Sequence, residues 1–357
     1  MKKLLSVCAL ALLVQAGAPA AEDPAALFSP AVRDADAQIK QGHLKEGMAL
    51  LRTAADAGDA SAQFGLAHYL TKGMGHAEQV DGGKGYVVRE ITDADKAEAA
   101  GLMSKAAGQG YPLAQAELGW QYEMGNPLPR HPRLARDYYA ALDAKGAVSG
   151  HRGTMRANAA LGKWAQIAPG ADEAQADRKI QAQDYVVAVV LYLKAALAGS
   201  ASAAYEYAIL CDRGLGVAKN AEEAKKWFLA AAGQGYAPAQ LELGRGKLLP
   251  DAEKLAWLTK ASDAGSPQAQ YWLGQSKLQG RDGTPRDEAG GWELLKKAAA
   301  QEETFAKLTL AEAYLKGSVE GFPKDLDKAA TLAVEAAQDG NPVAAELVAA
   351  IAVAKPK

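Results

Sequence analysis

The sequence predicts an all-α fold, a right-handed superhelical α/α solenoid of about eight helix-turn-helix repeats. Three observations predict it: alanine and glycine are abundant, aromatic residues make up only 7% of the chain, and two short signatures recur along it. Small side chains let neighbouring helices approach closely. A signature that repeats every 20 to 50 residues is typical of stacked units that cannot bury their apolar faces alone.

Composition and charge exclude some classes of protein. The 357 residues carry 40 Lys and Arg against 42 Asp and Glu, a net charge of −2. A strongly basic nucleic-acid binder is excluded, because neutralising phosphates needs a surplus of basic side chains that this chain lacks. With 49% hydrophobic and 23% charged residues, the chain is expected to bury a core as a soluble protein and not to insert into a membrane.

The N-terminus predicts export. Within residues 1–20, Lys2 and Lys3 precede a short apolar run, which leads into small residues ending at Ala20. This order is typical of a secretory signal peptide cleaved after Ala20, whereas a membrane-spanning helix needs about 20 apolar residues. We therefore expect a periplasmic or secreted protein. Removing the signal peptide leaves Cys211 as the single cysteine, so no intramolecular disulfide forms; at an apolar helix position it is expected to be a buried, inert thiol rather than a reactive one.

Two signatures define the repeat. In the first, small residues are followed by a turn glycine, and in the second, a few residues later, the pattern A-x-x-x-L-G recurs. The turn glycines are 36 residues apart in regular stretches and 52 or 53 residues apart in two places, which predicts one insertion in each. Glu302 stands where one glycine is expected. The glycines are Gly58, Gly110, Gly146, Gly199, Gly235, Gly265 and Gly340.

Each unit is expected to be a helix, a tight turn, a second helix and a loop. In residues 221–235 the small or apolar positions recur every three or four residues, which places them on one helix face. Gly235 suits the position after a helix, where the left-handed backbone costs glycine little. Gly244, after Leu243, is expected to let a neighbouring helix approach closely.

These residues resemble the Sel1-like repeat, a relative of the tetratricopeptide repeat. The resemblance covers about residues 44–353; it is closest over 97–125, 185–217 and 221–246 and poorest over 150–160. It implies stacked helical hairpins whose first helices line a concave groove that binds an extended peptide or another protein. Many members carry cysteine pairs in each unit. This chain lacks them, so activities suggested for the cysteine-rich members, such as β-lactam hydrolysis, are not transferred.

The predicted organisation is a signal peptide at 1–20, an N-terminal capping helix at 21–43, the solenoid at 44–353 and a tail at 354–357. The insertion near 76–92 is expected to be a mobile loop or a short hairpin. The insertion near 161–181 is expected to be an elongated helix or flexible loop, or else a partner-contacting element. At the C-terminus, an apolar row is expected either to pack onto the last unit or to dock a partner or a second copy: Val343, Leu347 and Ile351.

The sequence contains no recognisable catalytic, cofactor-binding or metal-binding pattern. The five histidines are scattered, and neither H-E-x-x-H nor G-x-S-x-G occurs. The aromatic residues that follow the repeat are expected to pack in the core: Tyr138, Tyr139, Trp227 and Trp257. Three tryptophans that do not follow it are candidate partner contacts: Trp120, Trp164 and Trp292.

The leading hypothesis is an exported, non-enzymatic scaffold that needs no cofactor and binds a protein or peptide in its groove, in the bacterial envelope. One alternative is a carbohydrate-associated scaffold in envelope polysaccharide or peptidoglycan assembly, with a glycan as partner. Another is a secreted, host-directed binding protein. An enzyme is the least favoured class, because no catalytic constellation is visible.

Overall fold

The computed structural model describes residues 27–73, 78–80, 85–87, 90–281, 283–317, 321–339 and 341–354. The expected signal peptide and residues 355–357 of the expected tail lie outside this part. The described residues form 18 α-helices. In chain order they are α1 (Pro30–Gln41), α2 (Leu44–Asp56), α3 (Ala60–Thr71), α4 (Asp93–Gly108), α5 (Pro112–Met124), α6 (Pro132–Asp143), α7 (Val148–Leu161), α8 (Ala171–Gln181), α9 (Tyr185–Leu197), α10 (Ala201–Arg213), α11 (Ala221–Gly233), α12 (Ala237–Arg245), α13 (Asp251–Asp263), α14 (Pro267–Gln279), α15 (Glu288–Ala300), α16 (Thr304–Lys316), α17 (Leu326–Gln338) and α18 (Pro342–Ala354).

Sixteen of these helices form eight antiparallel hairpins, beginning with α2 and α3 and ending with α17 and α18. The all-α solenoid of about eight units is thereby confirmed. Helix α1 precedes the first hairpin, and α8 stands between the third hairpin, α6 and α7, and the fourth, α9 and α10.

The two stretches interpreted as insertions have regular structure. In the first, strand β1 (Glu78–Val80) pairs antiparallel with β2 (Gly85–Val87), which is the hairpin alternative rather than the loop. The second contains a 3-10 helix, Gly162–Gln166, and then α8.

In the first seven hairpins, the turn between the two helices contains a left-handed residue. Gly235, with φ +83°, donates to the carbonyl of Ala232, and the next N–H donates to Ala231. Glu302 takes the same left-handed conformation, with φ +68°. A side chain at such a φ costs about 1 kcal/mol or more, so the turn geometry is imposed by the packing on either side of it.

A recurring glutamine closes the same turn. The side-chain amides of Gln63, Gln115 and Gln240 donate to backbone carbonyls eight residues earlier, at distances of 3.1 to 3.3 Å. Each carbonyl lies in the last turn of a first helix, where intrahelical partners run out. The glutamine in the Ala-Gln pair near the start of each of these second helices therefore ties the second helix to the end of the first.

The second helices form the inside of the superhelix. Beyond neighbouring hairpin helices, and apart from the N-terminal α1, which contacts α3, contacts join α5 to α7, α12 to α14, α16 to α18, and α7 to both α12 and α14. All of these are second helices, so the expectation that first helices line the concave face is wrong. Both helices of a unit carry an apolar stripe, and an apolar stripe by itself does not tell which helix faces inward.

At Gly244, helices α12 and α13 approach each other closely. A Cβ atom there would lie 2.8 Å from the backbone nitrogen of Leu258. We expect Gly244→Leu to lower the free energy of unfolding by roughly 1 to 3 kcal/mol through overpacking. Urea titrations of the variant and the wild type measure this, and coinciding midpoints would show that the two helices are not in contact there.

Candidate functional site

Helix α7 occupies the inside of the superhelix. It packs along α6, its hairpin partner, where a Cβ on Gly150 or Gly153 would overlap α6 atoms at 2.3 to 2.4 Å. Its other side contacts second helices of the second, fifth and sixth hairpins, α5, α12 and α14. The groove expected from the sequence is therefore occupied, along α7, by the chain's own helix.

Arg156 of α7 lies in a buried cage of opposite charge. Its guanidinium donates twice to the Glu123 carboxylate, at 3.0 and 3.1 Å, and pairs with Asp339 at 3.0 Å. The Tyr139 ring lies 5.5 Å from the guanidinium carbon, and the Tyr139 hydroxyl donates to Glu123. Arg156 is only 2% exposed, so its charge is balanced by protein groups instead of water.

Arg152, one turn before Arg156, reaches the end of α17. It donates to the side chain of Gln338 at 2.8 Å, and its guanidinium lies 3.5 Å from the Glu302 carboxylate and 3.8 Å from that of Glu335. Both carboxylates also pair with the buried Lys307. We call Arg152, Arg156 and their partners on α5 and on the last two hairpins the clasp.

A second buried network joins α6 to α8. Arg133 pairs with Glu173 at 2.5 Å and binds both oxygens of Asp177, at 2.9 and 3.1 Å. Burial acts to raise the pKa of Asp177, but His131 and Arg133 together hold it well below its usual range. This network fixes α8 against the start of α6.

His131 connects this network to α9 and α10. Its Nδ1 accepts from the N–H of Leu134, and its Nε2 lies 2.9 Å from the Tyr192 hydroxyl, which donates to Asp177. Glu206 lies 3.5 Å from Nδ1, and burial raises the pKa of Glu206 to about 7. The group resembles a general acid-base site in composition. His131 is only 1% exposed, however, and a catalytic acid or base must reach its substrate, so we assign these residues a structural role.

Glu303 makes stability depend on pH. It is buried at the start of α16, where it accepts from the N–H of Ala306, and burial raises its pKa from 4.5 to about 8. Between these values the folded state holds a proton that the unfolded state has lost, so stability falls as pH rises through this range. We expect a loss on the order of 4 kcal/mol from pH 5 to pH 8.5, at about 1.4 kcal/mol per pH unit between pH 5 and the folded-state pKa.

Denaturant titrations at the two pH values test this expectation. Glu303→Gln keeps an acceptor for Ala306 but has no proton to lose, so its stability is expected to fall less between pH 5 and pH 8.5. Glu312→Gln, on the exposed side of α16, is the control and should follow the wild type. Equal losses in wild type and Glu303→Gln would contradict the assignment.

The three tryptophans singled out from the sequence belong to separate elements and are all half-buried. Trp120 lies on α5. Trp164, in the 3-10 helix, donates to the carbonyl of Gly235 at 3.2 Å, and Trp292, on α15, packs on Phe322 with ring centroids 4.5 Å apart. Trp164 and Trp292 thus have contacts within the chain, and their role as partner contacts stays a prediction.

A surface that the sequence reasoning missed lies on α9. Val186, Val190 and Leu197 are 65%, 62% and 71% exposed, with the half-buried Leu193 between them; we call these four residues the α9 stripe. Counting back from the turn glycine, Val186 and Val190 correspond to Glu222 and Lys226 of α11. Two positions that are charged in α11 are therefore apolar in α9. This difference was visible in the sequence and was the signal that could have revealed the stripe.

The described residues were also compared with the expectations for the cysteine, for metal binding and for membrane-spanning helices. Cys211 is buried, as predicted, and burial raises the pKa of its thiol. Across the described ranges, no cluster of three or more His, Cys, Asp or Glu side chains could hold a metal ion. Within the same ranges, no helix combines the length and the apolar character needed to cross a membrane.

Comparison with known families gives a match over more than half of the chain. The pattern of the Sel1 repeat matches residues 83–111, 112–141, 180–200, 201–236, 237–266, 267–302 and 306–341. Residues 142–179, which contain α7 and most of α8, are not matched.

Individual relatives cover parts of the chain. Chitin synthase regulatory factor 4 of Schizosaccharomyces pombe is 32% identical over 196 residues, which is 54% of this chain and 27% of that protein. An uncharacterized protein of Neisseria meningitidis serogroup B is 26% identical over 260 residues, 72% of this chain and 46% of that one. The chain thus spans less than half the length of both curated relatives.

Two solved structures are also similar. One is a protective antigen present in uropathogenic Escherichia coli strains that displays an SLR fold, with 22% identity, a TM-score of 0.45 and coverage of 87% of this chain and 68% of that one. The other is a Sel1 repeat protein from Oxalobacter formigenes, with 27% identity, a TM-score of 0.40 and coverage of 96% and 94%.

Proposed function

Because this chain belongs to the Sel1 repeat family, we propose that it is an exported, non-enzymatic scaffold that binds another protein in the bacterial envelope. Sel1 repeat proteins generally bind other proteins. The observation that carries the proposal is the α9 stripe, because a contiguous apolar row on a rigid helix is typical of a protein interaction surface. Export is proposed from residues 1–20, and fractionation of cells that express the chain with and without them tests it.

The proposed occupant of the stripe is a helix of the partner protein. The stripe residues follow one another at intervals of four, three and four, the spacing that seats one helix along another. A second rigid copy would touch this 13-residue helix over only about 20 Å of its length. Such a contact falls well short of the roughly 800 Å² per partner that stable dimers bury, whereas a single helix suits a transient interaction.

Photo-crosslinking in native envelopes tests the proposal. A probe at Val190 is expected to yield an adduct with one protein, identified by mass spectrometry. Lys226, the corresponding position on α11, is the matched control and should not give this adduct. A second chain combines the probe at Val190 with Val186→Glu and Leu197→Glu, and its adduct should be lost.

Three results would contradict the stripe as the partner site. These are the same adduct from Lys226, an adduct that survives the two glutamates, and no protein adduct from a folded and exported chain. An adduct with a second copy of the chain would show that the stripe mediates self-association and does not bind a partner helix. Probes at Trp120, Trp164 and Trp292 test, in the same experiment, the contacts proposed from the sequence.

A second candidate function is a scaffold associated with polysaccharide assembly. The observation in its favour is the resemblance of about half the chain to a protein named as a chitin synthase regulatory factor. Aromatic side chains that reach solvent could stack on sugar rings, and Trp272 on α14 is exposed. Co-sedimentation with purified peptidoglycan tests this function. Binding that Trp272→Ala weakens supports it, and absence of binding by the folded protein argues against it.

A further inference from the structure

Contacts through α7 join parts of the chain that a regular solenoid keeps apart. In stacked repeats each unit contacts mainly its neighbours. Here Arg152 in the third hairpin bonds to Gln338 in the eighth, 186 residues later. Arg156 touches Glu123 in the second hairpin and Asp339 after α17 with the same guanidinium. The superhelix therefore closes on itself around α7.

The segment that contains α7 departs from the Sel1 repeat pattern, and this departure permits the closure. This segment, residues 142–179, is not matched by the family pattern. Helix α8 packs against α9, and Arg133 ties α8 to α6. An extra helix thus bridges the third and fourth hairpins, and the side of α7 that faces away from α6 is available for contacts with α12, α14 and the clasp carboxylates.

We infer that the clasp holds the superhelix closed, and that the last two hairpins move away from α7 when Arg152 and Arg156 release them. The clasp works by charge complementarity. Two guanidinium groups one turn apart meet four carboxylates from the second hairpin and the last two hairpins: Glu123, Glu302, Glu335 and Asp339. Carboxylates and guanidinium groups are costly to bury unless they are paired, so a change that removes the arginine charge favours the open form.

The hairpins themselves do not depend on the clasp. At the C-terminal end, apolar clusters that contain neither clasp arginine join α15 to α16 through Leu295 and Leu310, and α16 to α17 through Leu308 and Ala336. Opening is therefore expected to separate folded hairpins rather than to unfold them. A test of the clasp must measure shape and local protection as well as helix content.

Small-angle scattering and hydrogen exchange on Arg152→Glu test the inference. The new carboxylate faces Glu302 and Glu335, so the radius of gyration should rise by several ångströms above the roughly 20 Å of a compact chain of this length. Exchange of the amides in the last turn of α17 should become roughly tenfold faster or more, while the helical circular dichroism is kept. Arg52→Glu is the matched control, because Arg52 joins α2 to α4 through an exposed pair with Glu98 and should leave the shape unchanged.

An unchanged radius and unchanged exchange in Arg152→Glu would overturn the inference. Loss of helical circular dichroism in this variant would overturn it as well, because the contacts would then be needed for folding and not for closure. Arg156→Gln is a second variant with the same expected opening. If Arg156→Gln fails to fold, Arg152→Glu decides, since the side chain of Arg152 lies nearer the surface. None of these readouts requires the partner, so failure of the clasp is distinguishable from failure of the proposed function.

Discussion

Replacing Arg133 with methionine is expected to lower the free energy of unfolding by about 3 to 5 kcal/mol, the usual cost of removing one partner from a buried ion pair. Arg133 is buried and is the cation that contacts both Glu173 and Asp177. Without it, two carboxylates are left between α6 and α8 with too little positive charge. Methionine fills much of the same volume, so the loss reports on charge rather than on a cavity.

Chemical denaturation at pH 7 measures the effect. Arg52→Met removes an exposed pair instead and is the control, with an expected loss below about 1 kcal/mol. The pKa of Asp177 lies below its usual range in the wild type, so its pairing stabilises the fold at neutral pH and the contribution is lost as pH falls. The difference between wild type and Arg133→Met should therefore shrink in acid. A small loss at pH 7, similar to that of Arg52→Met, would show that water replaces the guanidinium.

Replacing Gly150 with leucine is expected to cost about 3 kcal/mol or more, at the upper end of the range for overpacked sites. A Cβ atom at Gly150 would lie 2.3 Å from the backbone nitrogen of Asp143 and 2.6 Å from the carbonyl carbon of Leu142. Backbone atoms of α6 cannot rotate away as a side chain can, so α7 would have to move outward. Because α7 also carries the clasp, this shift should disturb the end of α17 as well.

The control is Gly101→Leu on α4. Gly101 also lies inside a helix, but a Cβ there meets no atom within 4 Å. Leucine has a higher helix propensity than glycine, so this variant should be neutral or more stable by up to about 1 kcal/mol. Thermal or urea unfolding of the two variants gives the comparison. Similar stabilities for both would contradict the close contact between α6 and α7.

Features that repeat along the chain could be predicted from the sequence, and the reason is local. The turn at Gly235 and its equivalents needs a left-handed residue, and the spacing of apolar residues fits one face of a helix. Even Glu302, the exception to the glycine pattern, has the backbone conformation that its position requires. Burial of Cys211 followed from its place on an apolar helix face in the same way.

The candidate surfaces were harder to predict, because each depends on what packs around it. Trp292 is out of register with the repeat, yet it packs on Phe322, which lies in a loop with no fixed place in the pattern. The α9 stripe is apolar in sequence, and an apolar helix in a repeat is usually predicted to lie in the hydrophobic core. The structure places Val190 on the solvent side of that helix, in agreement with its register equivalent Lys226, which is also exposed.

The sequence by itself determined the helical hairpins, their approximate number and the turns that close them, because these depend on residues close together in the chain. Only the tertiary structure decided that second helices face inward, that α7 lies among them, and that Arg156 joins Glu123 to Asp339. Ion pairs between residues far apart in sequence produce no periodic pattern. The sequence also does not distinguish an arginine that is buried from one that is exposed to solvent. The position of Arg156 was decided by the curvature of the whole stack, which brings the second and the last hairpins to the same helix.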